Sequence, residues 1–152
     1  MTIPIILAGG MGTRLQPLST PDNPKQFLTL FNDLSLFQIT IKRIRQWLPT
    51  QPLLLLCQAA HEMLAQEQLQ QIDPTGQHIF IFEPSVQNTA ASIATASHYC
   101  QQHFPKETLV FIPSDQYLLS SEQWLMDMKK ITQHIDPSLL TLLGVTPSSA
   151  HS

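Results

Sequence analysis

Five times in this chain a short, nearly uninterrupted apolar run stands apart from stretches of helical periodicity. The runs are Ile3–Leu7, Leu53–Cys57, His78–Phe82, Leu109–Ile112 and Leu139–Val145. A strand with one wet face alternates apolar and polar residues. A run that is apolar throughout suits a strand covered on both faces, as in a parallel sheet. Four helical segments lie between the runs. Ser35 reads as an N-cap, followed by Phe37, Ile41, Ile44 and Leu48 at helical spacing before Pro49. His61–Ile72 is the second, stopped by Asp73, Pro74 and Gly76. Asn88 or Thr89 starts the third, whose predicted inner side is Ala90, Ile93, Ala94, Ser97 and Cys100. Ser121 or Glu122 to Ile135 is the fourth, with Trp124, Leu125, Met128 and Ile131 facing inward. Such alternation predicts βαβ units with right-handed crossovers, and so a Rossmann-like, doubly wound α/β fold: a mainly parallel sheet with helices on both faces.

The 152 residues suit one domain over 1–152, with no internal boundary or repeat. A chain of this length can bury about 70% of its unfolded surface. Hydrophobic residues at 43% against charged residues at 12% argue for a globular protein, and a net charge of -3 argues against a nucleic-acid-binding surface. The first apolar run has no basic segment ahead of it and is too short for a signal sequence or a membrane span. Cys57 and Cys100 sit in apolar contexts and read as buried thiols of a reducing compartment. The expectation is a cytoplasmic protein with neither a membrane nor a nucleic acid as partner.

In open α/β sheets, ligands bind outside the carboxyl ends of the strands, near a topological switch point. Three polar turns fall at such ends: Gly9–Arg14, Glu83–Thr89 and Pro113–Asp115. Gly9, Gly10 and Gly12 can present backbone N–H groups without Cβ atoms in the way. Arg14 and Lys25 are the cation types that hold phosphate oxygens. This is not a Walker A loop, since no Gly-Lys-Ser/Thr follows, and it is a poor dinucleotide fingerprint, since Leu15 stands where a third glycine belongs. A tight turn with no ligand is the alternative, just as Lys25 can be a plain surface lysine and Arg14 a cap or pairing residue. Asp115 can hold Mg2+, which takes a carboxylate together with substrate phosphates, or serve only in its turn. Glu83, Asn88 and Thr89 can hydrogen-bond a base or ribose, or Asn88 and Thr89 can simply cap the next helix. The six histidines show no metal-ligand spacing, and no Ser-His-Asp set or paired-carboxylate signature can be argued.

Taken together, LAGGMGTRLQPLS, PKQFL and SLFQITIKR resemble the amino-terminal signature of the sugar-1-phosphate nucleotidyltransferases. PKQFL and FEPSVQNTAASIATA are most similar to the mannose-1-phosphate guanylyltransferases within that family, and IPSDQYLL and TLLGVTP follow in the same order. The resemblance implies attack by mannose 1-phosphate on the α-phosphorus of GTP, forming GDP-mannose and pyrophosphate. It further implies that the backbone amides of Gly10, Met11, Gly12 and Thr13 cradle the phosphates. Arg14 and Lys25 offset charge, and Asp115 is a ligand of Mg2+. Ala8, Gly9, Glu83, Asn88 and Thr89 line the guanosine pocket.

The departures from the family pattern are specific. The family usually has Trp where this chain has Gln16, and Gly-Arg-Asn-Thr-Ala-Pro where this chain runs from Val86 to Ala91. Its Pro-Ser-Asp-His ends here in Gln116. The family also continues with a Gly-Tyr-Gly-Tyr turn, a Glu-Lys-Pro segment and a second metal-binding Asp, which build the sugar-phosphate side. The expectation is therefore a nucleotide-binding half that exposes a sheet edge or apolar surface. A homo-oligomer or a complementing chain stays open as partner, and a catalytically inactive GTP-binding remnant is the alternative to an enzyme.

Overall fold

The structure is a computed structural model describing residues 1–152 apart from 11, 13, 14, 32, 86, 87, 119, 137, 138 and 145–152. β1 (Thr2–Ala8) is followed by a loop and a one-turn 3-10 helix, Lys25–Phe27. A hairpin of β2 (Thr29–Phe31) and β3 (Leu34–Ser35) leads into α1 (Leu36–Trp47). Then come β4 (Leu53–Gln58), α2 (Glu62–Ile72), β5 (His78–Glu83), α3 (Thr89–His103), β6 (Thr108–Pro113) and α4 (Ser121–Gln133). The predicted α1 start is correct in detail. Ser35 Oγ accepts from the Gln38 amide at 3.1 Å and Gln38 Oε1 from the Ser35 amide at 3.0 Å, a reciprocal capping box.

Among the described residues the main sheet has the order β5-β4-β1-β6, all parallel, with Ile5 beside Leu54 and Phe111. From β1 the chain moves outward through β4 to β5, then returns to place β6 on the other side of β1. The switch point lies between β1 and β6. Alternate residues of the inner strands feed two separate cores. Ile6, Ala8, Leu53, Leu55 and Cys57 pack with α1, α2 and Met128 of α4. Ile3, Ile5, Leu54 and Leu56 pack with Ala96 and Cys100 of α3. Both faces of β1 and β4 are thus covered, which is why those runs carry no polar alternation.

Two expectations are corrected. Leu139–Leu143 forms no strand. Leu139, Leu140, Leu142 and Leu143 are exposed, Leu140 at 90%. The run has strand-forming composition, but no described strand lies beside it to complete a ladder, and Val145 lies outside the described residues. Second, α3 turns Ser92, Ala96 and Cys100 to the sheet, while Ala90 and Ala94 are exposed. Cys100 faces the sheet as predicted, and on the rotated side the Ser92 hydroxyl donates to Glu83 Oε1 at 2.5 Å, a contact that periodicity alone does not carry.

The α1–α4 contact holds an unusual group. Arg43 is 4% exposed, and its guanidinium lies 4.9 Å from the ring centre of Trp124, which meets Trp47 edge-on at 5.8 Å. Burial pushes its pKa down from the usual arginine value.

Candidate functional site

The polypeptide leaves the sheet at the carboxyl end of β1, at the switch point. There three consecutive carbonyls are each taken by a side chain from a different part of the fold. Leu7 O accepts from Ser114 Oγ at 2.9 Å, Ala8 O from Gln26 Nε2 at 2.8 Å, and Gly9 O from Gln58 Nε2 at 2.6 Å. All three donor side chains are buried.

The glycines answer to close neighbours. At Gly9 a Cβ would come to 2.7 Å from Glu83 Oε2, so the missing side chain lets that buried carboxylate approach the turn. Gly12 has φ +62°, and a Cβ there would lie 2.5 Å from Lys25 Cβ and 2.9 Å from Lys25 N. Both its conformation and its space admit only glycine without rearrangement. A Cβ on Gly10 would meet nothing within 4 Å. The loop is tied down by Ser19 Oγ, which donates to Gly12 O at 2.7 Å, and by His61 Nε2 against Pro21 O at 2.7 Å. A carbonyl only accepts, so that imidazole nitrogen carries the proton.

The cleft beyond this turn has a volume of about 220 Å³ and is lined by Gly9, Gly10, Gln26, Thr89, Ser92 and Asp115 among others. Lys25 Nζ lies 3.5 Å from Asp115 Oδ2, although 90 residues separate them. Asp115 occupies the turn after β6 and is not the cap of α4, whose N-cap is Ser120. Asn88 takes the N-cap position of α3, but its side chain makes no capping hydrogen bond. The fold thus brings Gly9, Gly10, Lys25, Thr89 and Asp115 to one rim, with Glu83 beneath Gly9. Ala8 is buried in the core, and its part in the rim is its carbonyl. Met11, Thr13 and Arg14 lie outside the described residues.

The sequence reading missed Gln26, Gln58, Ser92 and Ser114 as site residues. The available signal was position. Gln58 ends an otherwise apolar strand, and a polar residue at that end of a buried strand faces the ligand rim. Cys57, next to it, is buried and keeps its proton. Burial, with the charges of Glu62 and Glu83, pushes its thiol up from 9.0 to about 12. Both cysteines are free and buried.

Among the described residues no group of three or more His, Cys, Asp and Glu could hold a metal, and no helix is long and apolar enough to cross a membrane. One exposed carboxylate beside a lysine does fit Mg2+ shared with phosphate oxygens, because that ion keeps only one or two protein carboxylates.

A parallel, doubly wound α/β sheet with a glycine turn, a lysine and a carboxylate meeting at its switch point places the protein among the open α/β folds that carry their ligand sites at that point. The nucleotidyl transferase family profile matches residues 3–151, and the chain belongs to that family. It is 35% identical to the mannose-1-phosphate guanylyltransferase of Salmonella muenchen, over 99% of this chain and 32% of that protein. It is 36% identical to the alginate biosynthesis protein AlgA of Pseudomonas aeruginosa, over 96% of this chain and 30% of that protein. The chain spans about a third of the length of these relatives. Among solved structures, mannose-1-phosphate geranyltransferase from Thermus thermophilus superposes with a TM-score of 0.74 at 27% identity, covering 87% of this chain and 37% of that one. A glucose-1-phosphate thymidylyltransferase structure from Bacillus anthracis, at 20% identity and a TM-score of 0.64, covers 86% of this chain and 51% of that one and shares the fold.

Proposed function

We propose that this chain carries the nucleotide side of a mannose-1-phosphate guanylyltransferase-type enzyme, which converts GTP and mannose 1-phosphate to GDP-mannose and pyrophosphate. The observation that carries the reading is the meeting of Lys25 and Asp115 beside the Gly9–Gly10 turn. It is supported by identity of 31–36% to the guanylyltransferases and AlgA.

In this reading a phosphate oxygen of mannose 1-phosphate attacks the α-phosphorus of GTP and the bond to pyrophosphate breaks. Negative charge gathers on the phosphoryl oxygens, so the protein's work is positioning and charge stabilisation. The amides of Gly10 to Thr13 hold the phosphates. Lys25 faces the α-phosphoryl group, and Arg14 offsets charge on the leaving pyrophosphate. Asp115 would hold Mg2+, which when bound supplies positive charge to the phosphate oxygens. Glu83, Asn88 and Thr89, with Ala8 and Gly9, take the guanosine. The buried free thiols accord with a cytoplasmic setting.

A second reading, GTP binding without transfer, is favoured by one observation: Asp115 is the one carboxylate among the described residues lining the cleft. Incubation with GTP, Mg2+ and mannose 1-phosphate, following pyrophosphate, separates the two. GDP-mannose formation supports transfer; saturable GTP binding with no pyrophosphate supports the second; absence of GTP binding rejects both.

A further inference from the structure

We infer that Gln58 and Gln26 are positioning residues that set the glycine turn for the nucleotide, Gln58 aiming the Gly10 amide at the phosphates and Gln26 fixing the Gly9 amide on the guanosine side. The C=O and N–H of one peptide unit lie in a plane and point in opposite directions. Whatever holds a carbonyl therefore also fixes the direction of the amide hydrogen that follows it. Gln26 Nε2 on Ala8 O fixes the Gly9 N–H, and Gln58 Nε2 on Gly9 O fixes the Gly10 N–H. Glycine peptides have no Cβ to restrict them, so without such holds they sample many orientations. Here the holds come from two rigid places, the end of the buried strand β4 and the 3-10 turn that carries Lys25. At 2.6 Å the Gln58 bond is among the shortest involving a side chain here, and Gln58 is 8% exposed, so little water competes for it. Ser114 does the same one peptide earlier, through Leu7 O. The three donors come from three different elements, so the amides of Ala8, Gly9 and Gly10 are set before a ligand arrives. An amide so aimed stabilises an oxyanion without reorganising when it binds.

The inference rests on the reading of the cleft as a nucleotide site, and its test keeps the two apart. The Gln58→Met variant preserves side-chain length and removes the donor. GTP and guanosine are titrated against the wild-type chain and the variant, with heteronuclear spectra recording the Gly9 and Gly10 amides. Loss of one aiming hydrogen bond predicts GTP binding weakened about 3- to 10-fold. Guanosine affinity stays unchanged, and the GTP-induced shift of the Gly10 amide is reduced. Gln26→Met reduces the GTP-induced shift of the Gly9 amide and, because Gly9 lies on the guanosine side, weakens guanosine together with GTP. Unchanged GTP affinity in a folded Gln58→Met chain overturns the inference, as does an equal loss for guanosine. A wild-type chain that binds GTP with the Gly10 amide unmoved overturns it while sparing nucleotide binding. A wild-type chain that binds no GTP removes both. If Gln58→Met does not fold, through-hydrogen-bond coupling between Gln58 Nε2 and the Gly9 carbonyl carbon of the wild type decides, its absence being the overturning result.

Discussion

Lys25 and Asp115, from the first and last thirds of the chain, meet with Nζ 3.5 Å from Oδ2 at the mouth of the cleft. Both are partly exposed, at 30% and 51%, so the pair adds little to folding, within about 1 kcal/mol. Under the proposed function its value lies in placing two opposite charges where a phosphate would arrive. Lys25→Ala should leave the urea midpoint nearly unchanged and weaken GTP binding by about tenfold or more, the worth of a charge-assisted contact. Asp115→Asn should instead abolish the difference between GTP affinity measured with Mg2+ and with a chelator. Calorimetric titration reads both, and a large stability loss with intact binding would contradict the assignment.

Gly12 and Gly10 make a matched contrast. Gly12→Ala forces a Cβ at positive φ into the backbone of Lys25 and should cost roughly 2 kcal/mol or more in chemical denaturation. Gly10→Ala meets no atom within 4 Å and should be tolerated within about 1 kcal/mol. Any effect of the second variant belongs to ligand binding. Equal destabilisation by the two would contradict the turn geometry.

Arg43 has no carboxylate partner among the described residues, and its Nε is buried without a hydrogen-bond partner. A desolvated charge of this kind is often replaced by an apolar side chain of similar length at no cost. Arg43→Met should therefore match the wild type within about 1 kcal/mol or exceed it. Arg43→Ala, which also removes the packing against Trp124, should lose about 2 kcal/mol or more. Thermal unfolding of both variants distinguishes a cationic role from a space-filling one.

Cys57 gives a pH dependence with a defined sign. Its folded pKa is raised from 9.0 to about 12, so the folded state keeps the proton that the unfolded state loses. This contribution is fully present below pH 9.0 and is lost as pH rises from there through about 12. Comparing Cys57→Ala with the wild type across that window should show a shallower alkaline decline in the variant. In the folded wild type at pH 8, thiol reagents should react far more slowly than in urea.

Residue order made much of this fold legible, and the reasons for the exceptions are physical. Unbroken apolar runs marked β1 and β4 because burial on two faces leaves a composition that can be read, and the half-buried edge strands β5 and β6 carry the same apolar composition. Ser35 announced α1 because an N-cap is local, and the structure adds Gln38 to complete the box. Leu139–Leu143 misled because strand composition creates no ladder without a neighbour. The short β2–β3 hairpin carried too little pattern to find. Lys25 stood out as a cation in a charge-poor segment, and Asp115 by its turn at the end of a strand. Gln26 did not, because an amide gripping a backbone carbonyl depends on a meeting of elements that no local pattern records, and Gln58 left only its place at the end of an apolar run as a sign.

The sheet order has a mechanical consequence for the cleft. β1, which carries the glycine turn, is flanked by β4 on one side and β6 on the other. β6, which leads to Asp115, is hydrogen-bonded along one side only among the described residues. One jaw of the cleft is therefore clamped and the other is hung from a single seam. Amide protons of β1 should outlast those of β6 in exchange, and whatever strand lies against that open seam would set how far Asp115 stands from Lys25.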